Sequence, residues 1–284
     1  MGGGGPEISG DERPRRTRVA RCRLRSPYLS FMPLVSTPAV ILHAFHYGET
    51  SKIVRLATPD HGVLSAIAKG ALRARSRFGA RLQVLSQGMV QVYWKQNRDL
   101  QTLAEFDVSE KRSQLSHDLN RFAAASVLAE LVMRCSPAEP QAQVFEDLVA
   151  GLDRISDVAG AHLPAVSLAA AWRLVATLGF SPALTTCARD GRPLTPGPAP
   201  FSVAEGGLMC TSCARGEGRR LPAADRAALE HFVRGDGPAD GTLAPKRAIA
   251  HRRLLGRFIR HHLAEGRDLP ALTFWESLSW TSTS

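Results

Sequence analysis

"GMVQVYWKQ" (residues 88–96) and "DLQTLAEFDV" (99–108) decide the fold. Val90, Val92 and Trp94 share one face of the first segment, and Leu100, Thr102, Ala104, Phe106 and Val108 share one face of the second. A period of two marks strands with one buried face. Three more short apolar segments precede them: "AVILHAFHY" (39–47), "SKIVRLAT" (51–58) and "GVLSAIAKG" (62–70), the last two joined by the turn sequence "TPDHG" (58–62). Five short strands in succession predict a small closed barrel. The five-stranded barrel best known for holding oligonucleotides is the OB-fold, and an SH3-like barrel fits the same pattern.

Beyond Glu110 the period changes. Val144, Leu148, Leu152 and Ile155 fall at helical spacing, as do Leu168, Trp172 and Val175, with Gly179 and Pro182 closing the second helix. A Pro- and Gly-rich insert follows, and helical sequence resumes near Pro222 and Pro245. The chain therefore reads as an α+β multidomain protein. Residues 1–31 form a disordered basic tail or an upstream start-site extension ahead of Met32, 32–110 the barrel, 111–180 the first part of a helical domain, 181–220 an insert mounted on it, and 221–284 its second part.

The 284 residues are 44% hydrophobic, yet no apolar run approaches the roughly 20 residues of a membrane helix. The expectation is a cytoplasmic, nucleoid-associated protein with no membrane partner. A formal net charge of +10 points to a polyanionic partner. The signatures of a phosphate-binding P-loop, a G-x-S-x-G nucleophile elbow and an H-E-x-x-H metalloprotease are absent from the sequence, and no paired carboxylates suggest a nuclease. The sequence is not that of an enzyme. His43 and His46, on a strand, and His261 and His262, on a helix, point apart and are read as structural.

The charge is concentrated in "AKGALRARSRFGARL" (68–82), between the third and fourth strands: Lys69, Arg73, Arg75, Arg77 and Arg81 with no acid among them. Spaced cations on a loop of small residues can follow a phosphate backbone, because guanidinium groups donate to phosphate oxygens. Lys52, Arg55, Lys95 and Arg98 extend this nucleic-acid patch from neighbouring strands and turns. Phe78, Tyr93 and Trp94 are aromatic rings available for base stacking, although Trp94 shares a face with Val90 and Val92, which favours core packing. A second basic feature is the helix "PKRAIAHRRLLGRFIRHHLAEGR" (245–267). Leu254, Leu255, Phe258, Ile259 and His262 make its core face, and Lys246, Arg253, Arg257 and Arg260 a cationic stripe, either a phosphate contact or a solvated surface.

Among five cysteines, Cys187, Cys210 and Cys213 combine with Asp190 in the pattern C-x2-D-x19-C-x2-C, two knuckle-like pairs at nearly zinc-ribbon separation. Zinc accepts an aspartate oxygen within a tetrahedral set, so the pattern supports one structural zinc; a metal-free vestige and a redox role stay open.

The run "YGETSKIVRLATPDHGVLSAIAKGALRARSRFGARLQVLSQGMVQV" (47–92), then "LVATLGFSP" (174–182), "CARDG" (187–191), "GGLMCTSC" (206–213) and "RRLLGRFIRHHLAEGRDLPALTFWESL" (252–278), resembles the RecO family of bacterial recombination mediators. The resemblance extends from Met32 to Leu278. It implies an OB-fold, a helical domain and a zinc-ribbon-like insert. It further implies binding of single- and double-stranded DNA, strand annealing, contact with single-stranded DNA-binding protein (SSB) and RecR, and work with RecF to load RecA on gapped DNA. Under it Lys69, Arg73, Arg75 and Arg77 are DNA-contact candidates, and Cys187, Cys210 and Cys213 ligand candidates. Asp190 stands where cysteine-bearing members carry their second cysteine of the first pair.

Overall fold

The computed structural model describes residues 1–3, 33–110, 112–137, 139–216, 219–237 and 242–280. The tail expected over residues 1–31 falls outside these apart from Met1–Gly3. Strands β1 (Leu34–Tyr47), β2 (Ser51–Thr58), β3 (Gly62–Ala68), β4 (Gln87–Tyr93) and β5 (Leu100–Glu110) close into a barrel in the order β1-β2-β3-β5-β4. All pairs are antiparallel except β3 with β5, which pair in parallel and seal the barrel. This five-stranded Greek-key closure is the OB-fold, and the SH3-like alternative is set aside. Val54, Leu56, Leu64, Ala66, Val90, Val92 and Phe106 fill the interior.

The alternation expected along β5 holds only in its second half. Val90 pairs with Phe106 but Val92 pairs with Leu103, so Ala104 is the extra residue of a β-bulge. The bulge turns Leu103 into the barrel in place of the expected Ala104 face. It also turns Gln101 inward, where its side chain receives the Lys95 amide at 2.8 Å and donates to the Lys95 carbonyl at 3.1 Å, bracing the β4–β5 loop. Burial of a polar amide is tolerated because both its ends are bonded.

The helical domain comprises α1 (Ser113–His117), α2 (Leu119–Cys135), α3 (Ala142–Asp157), α4 (Leu163–Thr177), and later α6 (Ala223–Arg234), α7 (Pro245–His262) and α8 (Pro270–Ser277). Asp118 caps α2 by accepting from the Asn120 and Arg121 amides at 2.8 and 3.0 Å. Gly179, at φ 97°, ends α4 in a Schellman turn in which the Phe180 amide donates to the Val175 carbonyl at 3.0 Å. Val144, Leu148, Leu152, Ile155, Leu168, Trp172 and Val175 are all buried, as their spacing predicts. They form one cluster with Val40, Leu42 and Ala57 on the outside of the barrel, so barrel and helices share a core. Arg112 locks the junction: its guanidinium binds Asp153 at 2.7 Å, the Leu85 carbonyl at 3.2 Å and Gln87 at 2.6 Å.

Between α4 and α6 lies a small unit in which β7 (Gly207–Leu208), β6 (Ala199–Ser202) and β8 (Arg219–Leu221) form a three-stranded sheet, followed after β7 by the short α5 (Thr211–Ala214). Arg226 of α6 fastens it to the helices by donating to the Thr195 and Leu184 carbonyls, both at 2.8 Å.

Candidate nucleic-acid interface and cysteine cluster

The β3–β4 loop is held down by its apolar residues and leaves its cations free. Ala71, Phe78 and Leu82 insert into the barrel core, while Lys69, Arg73, Arg75, Arg77 and Arg81 are all exposed. Backbone bonds moor the loop at both ends, from the Leu72 amide to the Thr50 carbonyl at 2.9 Å and from the Leu85 amide to the Ile41 carbonyl at 2.7 Å. None of the five cations forms an ion pair among the described residues. Phe78 is 2% exposed, so it does not stack on a ligand as its sequence position suggested: it plugs the barrel and carries the Arg77 guanidinium over its ring at 4.9 Å. Trp94 packs partly into the barrel and against the His61 ring at 4.7 Å. Tyr93 is exposed and remains available for stacking.

Register places the other four cations. Lys52 pairs with Ala68, which sets it beside Lys69 at the root of the loop. Arg55 pairs with His43 on one side and Ser65 on the other, and Ser65 pairs with Leu100, so these four residues make a row across the sheet. Lys95 and Arg98 lie in the β4–β5 loop just ahead of Leu100. Of the nine cations, Arg55 lies on the outer face of β2; Lys52, in phase with the interior residues Val54 and Leu56, and the five loop cations lie at one end of β2 and β3, and Lys95 and Arg98 lie in the β4–β5 loop. In OB-folds that face and its bordering loops hold oligonucleotides and oligosaccharides.

The row crosses a groove of ≈ 450 Å³ lined by His43, Phe45, Ile53, Arg55, Asp99 and Arg134, among others. Arg55 Nε is buried there without a hydrogen-bond acceptor. Leaving a buried guanidinium N–H unpaired costs about 1–3 kcal/mol, which a water or an anion in the groove would relieve. Phe45 and His43 were not legible as site residues from strand alternation. A bulge at Leu42, between the pairs Ile41–Leu56 and His43–Arg55, lets Leu42 face the helices while His43 and Phe45 both face the groove. Arg134 comes from the end of α2, and only the fold brings it here.

The sequence-predicted ligand set assembles. One ligand atom from each of Cys187, Asp190, Cys210 and Cys213 lies within 4.8 Å of all the others. Cys187 is in a tight turn, its amide donating to the Arg192 carbonyl at 2.7 Å, and the Cys213 amide donates to Cys210 Sγ at 3.3 Å. The Cys213 thiol donates to Asp190 Oδ2 at 3.2 Å. Tetrahedral zinc with ~2.3 Å bonds to sulfur separates its ligands by about 3.7 Å, so the residues fit the metal. The Cys187 thiol first, then the Arg192 amide and the Cys213 thiol, hold the Asp190 carboxyl down to about 2. The Ser212 hydroxyl and the Cys213 amide bring Cys210 down to about 7, whereas Cys213, as donor to Asp190, is pushed up to about 12. A carboxylate already ionised and a thiol inclined to ionise are what a divalent cation needs. A metal held by all four would have no position left for substrate and would serve a structural role.

Residues 32–112 match the family model "Recombination protein O N terminal" and residues 116–269 match "Recombination protein O C terminal". The chain is 36% identical over 252 residues to the DNA repair protein RecO of Anaeromyxobacter sp. (strain K), covering 87% of this chain and 98% of that one. It is 36% identical over 244 residues to the same-named protein of Anaeromyxobacter dehalogenans (strain 2CP-1 / ATCC BAA-258), covering 84% and 94%. To that of Syntrophotalea carbinolica it is 32% identical over 182 residues, covering 64% and 70%.

Proposed function

Since the chain belongs to the RecO family of DNA repair proteins, we propose that it is a recombination mediator that binds single- and double-stranded DNA, anneals complementary strands and, with RecR and RecF, helps to load RecA onto SSB-coated gaps. The observation that carries this reading is the acid-free set of five exposed β3–β4 loop cations, without an ion pair among the described residues, on an OB-fold barrel beside Arg55, whose Nε lacks an acceptor. Annealing needs no covalent step, and the protein acts without being an enzyme. Two strands repel through their phosphates; a surface that neutralises several phosphates while leaving base edges free lowers that barrier. The loop supplies mobile-ended guanidinium groups on a fixed backbone, so phosphates are met without ordering the chain first. Cys187, Asp190, Cys210 and Cys213 hold one zinc ion, which braces the insert rather than reacting.

The test is annealing of complementary oligonucleotides coated with single-stranded DNA-binding protein, together with the salt dependence of strand binding. About five phosphate contacts give a log–log salt slope near −3 to −4. Changing Arg73, Arg75 and Arg77 to Glu weakens binding and annealing with an unchanged melting temperature, because exposed loop charges contribute little to stability. A wild-type slope near zero rejects the electrostatic account. Tight binding without annealing, and a preference for RNA over DNA of equal length, favours the second reading, an RNA-holding module on the same barrel.

A further inference from the structure

Two grooves border α7 and meet at Ala250 and Arg257, and the second forms a cationic channel. The first, of ≈ 120 Å³, has Phe201, Arg220, Asp225 and His251 in its walls. The second, of ≈ 430 Å³, has Lys246, Ile249, Arg253 and Glu276. Both carboxylates are already engaged. Asp225 accepts from Arg247 at 2.6 Å and lies 3.3 Å from His251 Nε2, and Glu276 is paired with Arg260, tucked against α7 where Gly256 leaves room for it. Lys246, Arg253 and Arg257 are exposed and form no ion pair among the described residues. Their spacing of seven and then four residues puts them within about 40° on one helix face, over a length of about 16 Å. Such a track spans roughly three to five phosphates of a strand.

The channel is not part of the barrel face. Helix α7 packs against α4, α6 and α8, and the nine barrel cations lie on β2 and in the β3–β4 and β4–β5 loops. We infer that the α7 channel is a second phosphate-backbone track, which holds a second nucleic-acid strand while the barrel holds the first. This rests on the DNA-binding reading above. Lined by Ile249, Ala250, three cations and the paired Glu276, the second groove suits a backbone of regularly spaced charges better than an acidic peptide with apolar anchors, and guanidinium forks suit phosphate oxygens.

The experiment titrates the full chain with two non-complementary oligonucleotides, one carrying a donor dye and one an acceptor, with sedimentation counting chains per complex. One wild-type chain carries both strands and gives energy transfer. The variant Lys246→Glu/Arg253→Glu/Arg257→Glu keeps its first-strand affinity and its melting temperature, while second-strand binding weakens on the order of a hundredfold and its salt slope becomes shallower by about 2. The variant Arg73→Glu/Arg75→Glu/Arg77→Glu loses the first strand instead. Equal second-strand binding in the α7 variant, a single strand per wild-type chain, or loss of both strands together overturns the inference. If an oligo-glutamate peptide binds wild type but not the α7 variant while two-strand binding is unaffected, the channel is a peptide site and the inference is wrong. A wild-type chain that binds neither strand defeats the DNA-binding reading itself.

Discussion

At the scale of single residues, polar groups in the interior are where the fold commits itself. Arg112, Arg226 and Glu130 are each at most 6% exposed and each bridges elements distant in sequence, Glu130 by accepting from the Ala271 and Leu272 amides at the start of α8. His251 is likewise buried, at 2% exposed. Burial pushes its pKa below the ordinary histidine value, against the opposing pull of Asp225 and with Arg247 adding to the depression. A histidine depressed in the folded state stabilises the protein while neutral; that contribution is complete above the unfolded value of about 6.5 and is lost as pH falls through the folded value. Chemical denaturation at about pH 7.5 and about pH 5.5 therefore shows a lower midpoint at the acid end, and His251→Gln reduces that difference. An equal acid loss in the variant assigns the effect to other groups.

At the scale of elements, the β3–β4 loop separates two jobs that its sequence interleaves. The apolar residues Ala71, Phe78 and Leu82 anchor it and the cations between them stay in solvent. Phe78→Ala empties a filled position at the barrel end and costs about 3–5 kcal/mol in unfolding free energy. The charge-reversed loop described above costs almost nothing in the same measurement. If Phe78→Ala unfolds at the wild-type denaturant midpoint, the loop is not anchored in the way described. The bulges at Leu42 and Ala104 show why strand reading stopped short at this scale. Period-two alternation locates β1 and β5 from residues 39–47 and 99–108, but each bulge resets the phase, so His43, Phe45 and Leu103 end on faces that counting does not give.

At the scale of the whole molecule, two positive surfaces lie on different elements, the barrel with its loops and the α7 channel. No helix among the described residues is long and apolar enough to cross a membrane. The insert is bound to the bundle by Arg226 and by His262 Nε2, which lies 2.6 Å from the Val203 carbonyl, so its integrity is coupled to the helices. Zinc measured on the purified chain should approach one per molecule and fall with acid, since the thiols must ionise to bind. Chelation, or Cys213→Ser, lowers the melting temperature while first-strand binding at the barrel persists; Asp190→Cys keeps the metal. A wild-type protein without zinc, or a chelated one that melts unchanged, removes the metal from the account.

The sequence alone determined what short-range chemistry can specify. Alternation gave five barrel strands, helical spacing gave the buried faces of α3 and α4, the acid-free run gave the exposed loop cations, and C-x2-D-x19-C-x2-C gave a set of four ligands that do converge. Each of these signals lies within a few residues, or within a motif whose spacing carries the constraint. Tertiary structure decided the rest: that β3 and β5 pair in parallel, that Phe78 is a plug, that Arg55, His43, Phe45 and Arg134 face one groove, and that Asp225 and Glu276 are neutralised beside three cations that are not. The reason is physical. Whether a charge is free or paired, and whether a ring is buried or available, depends on which distant atoms compete for it, and strand register with its bulges fixes those neighbours only when the whole chain has closed on itself.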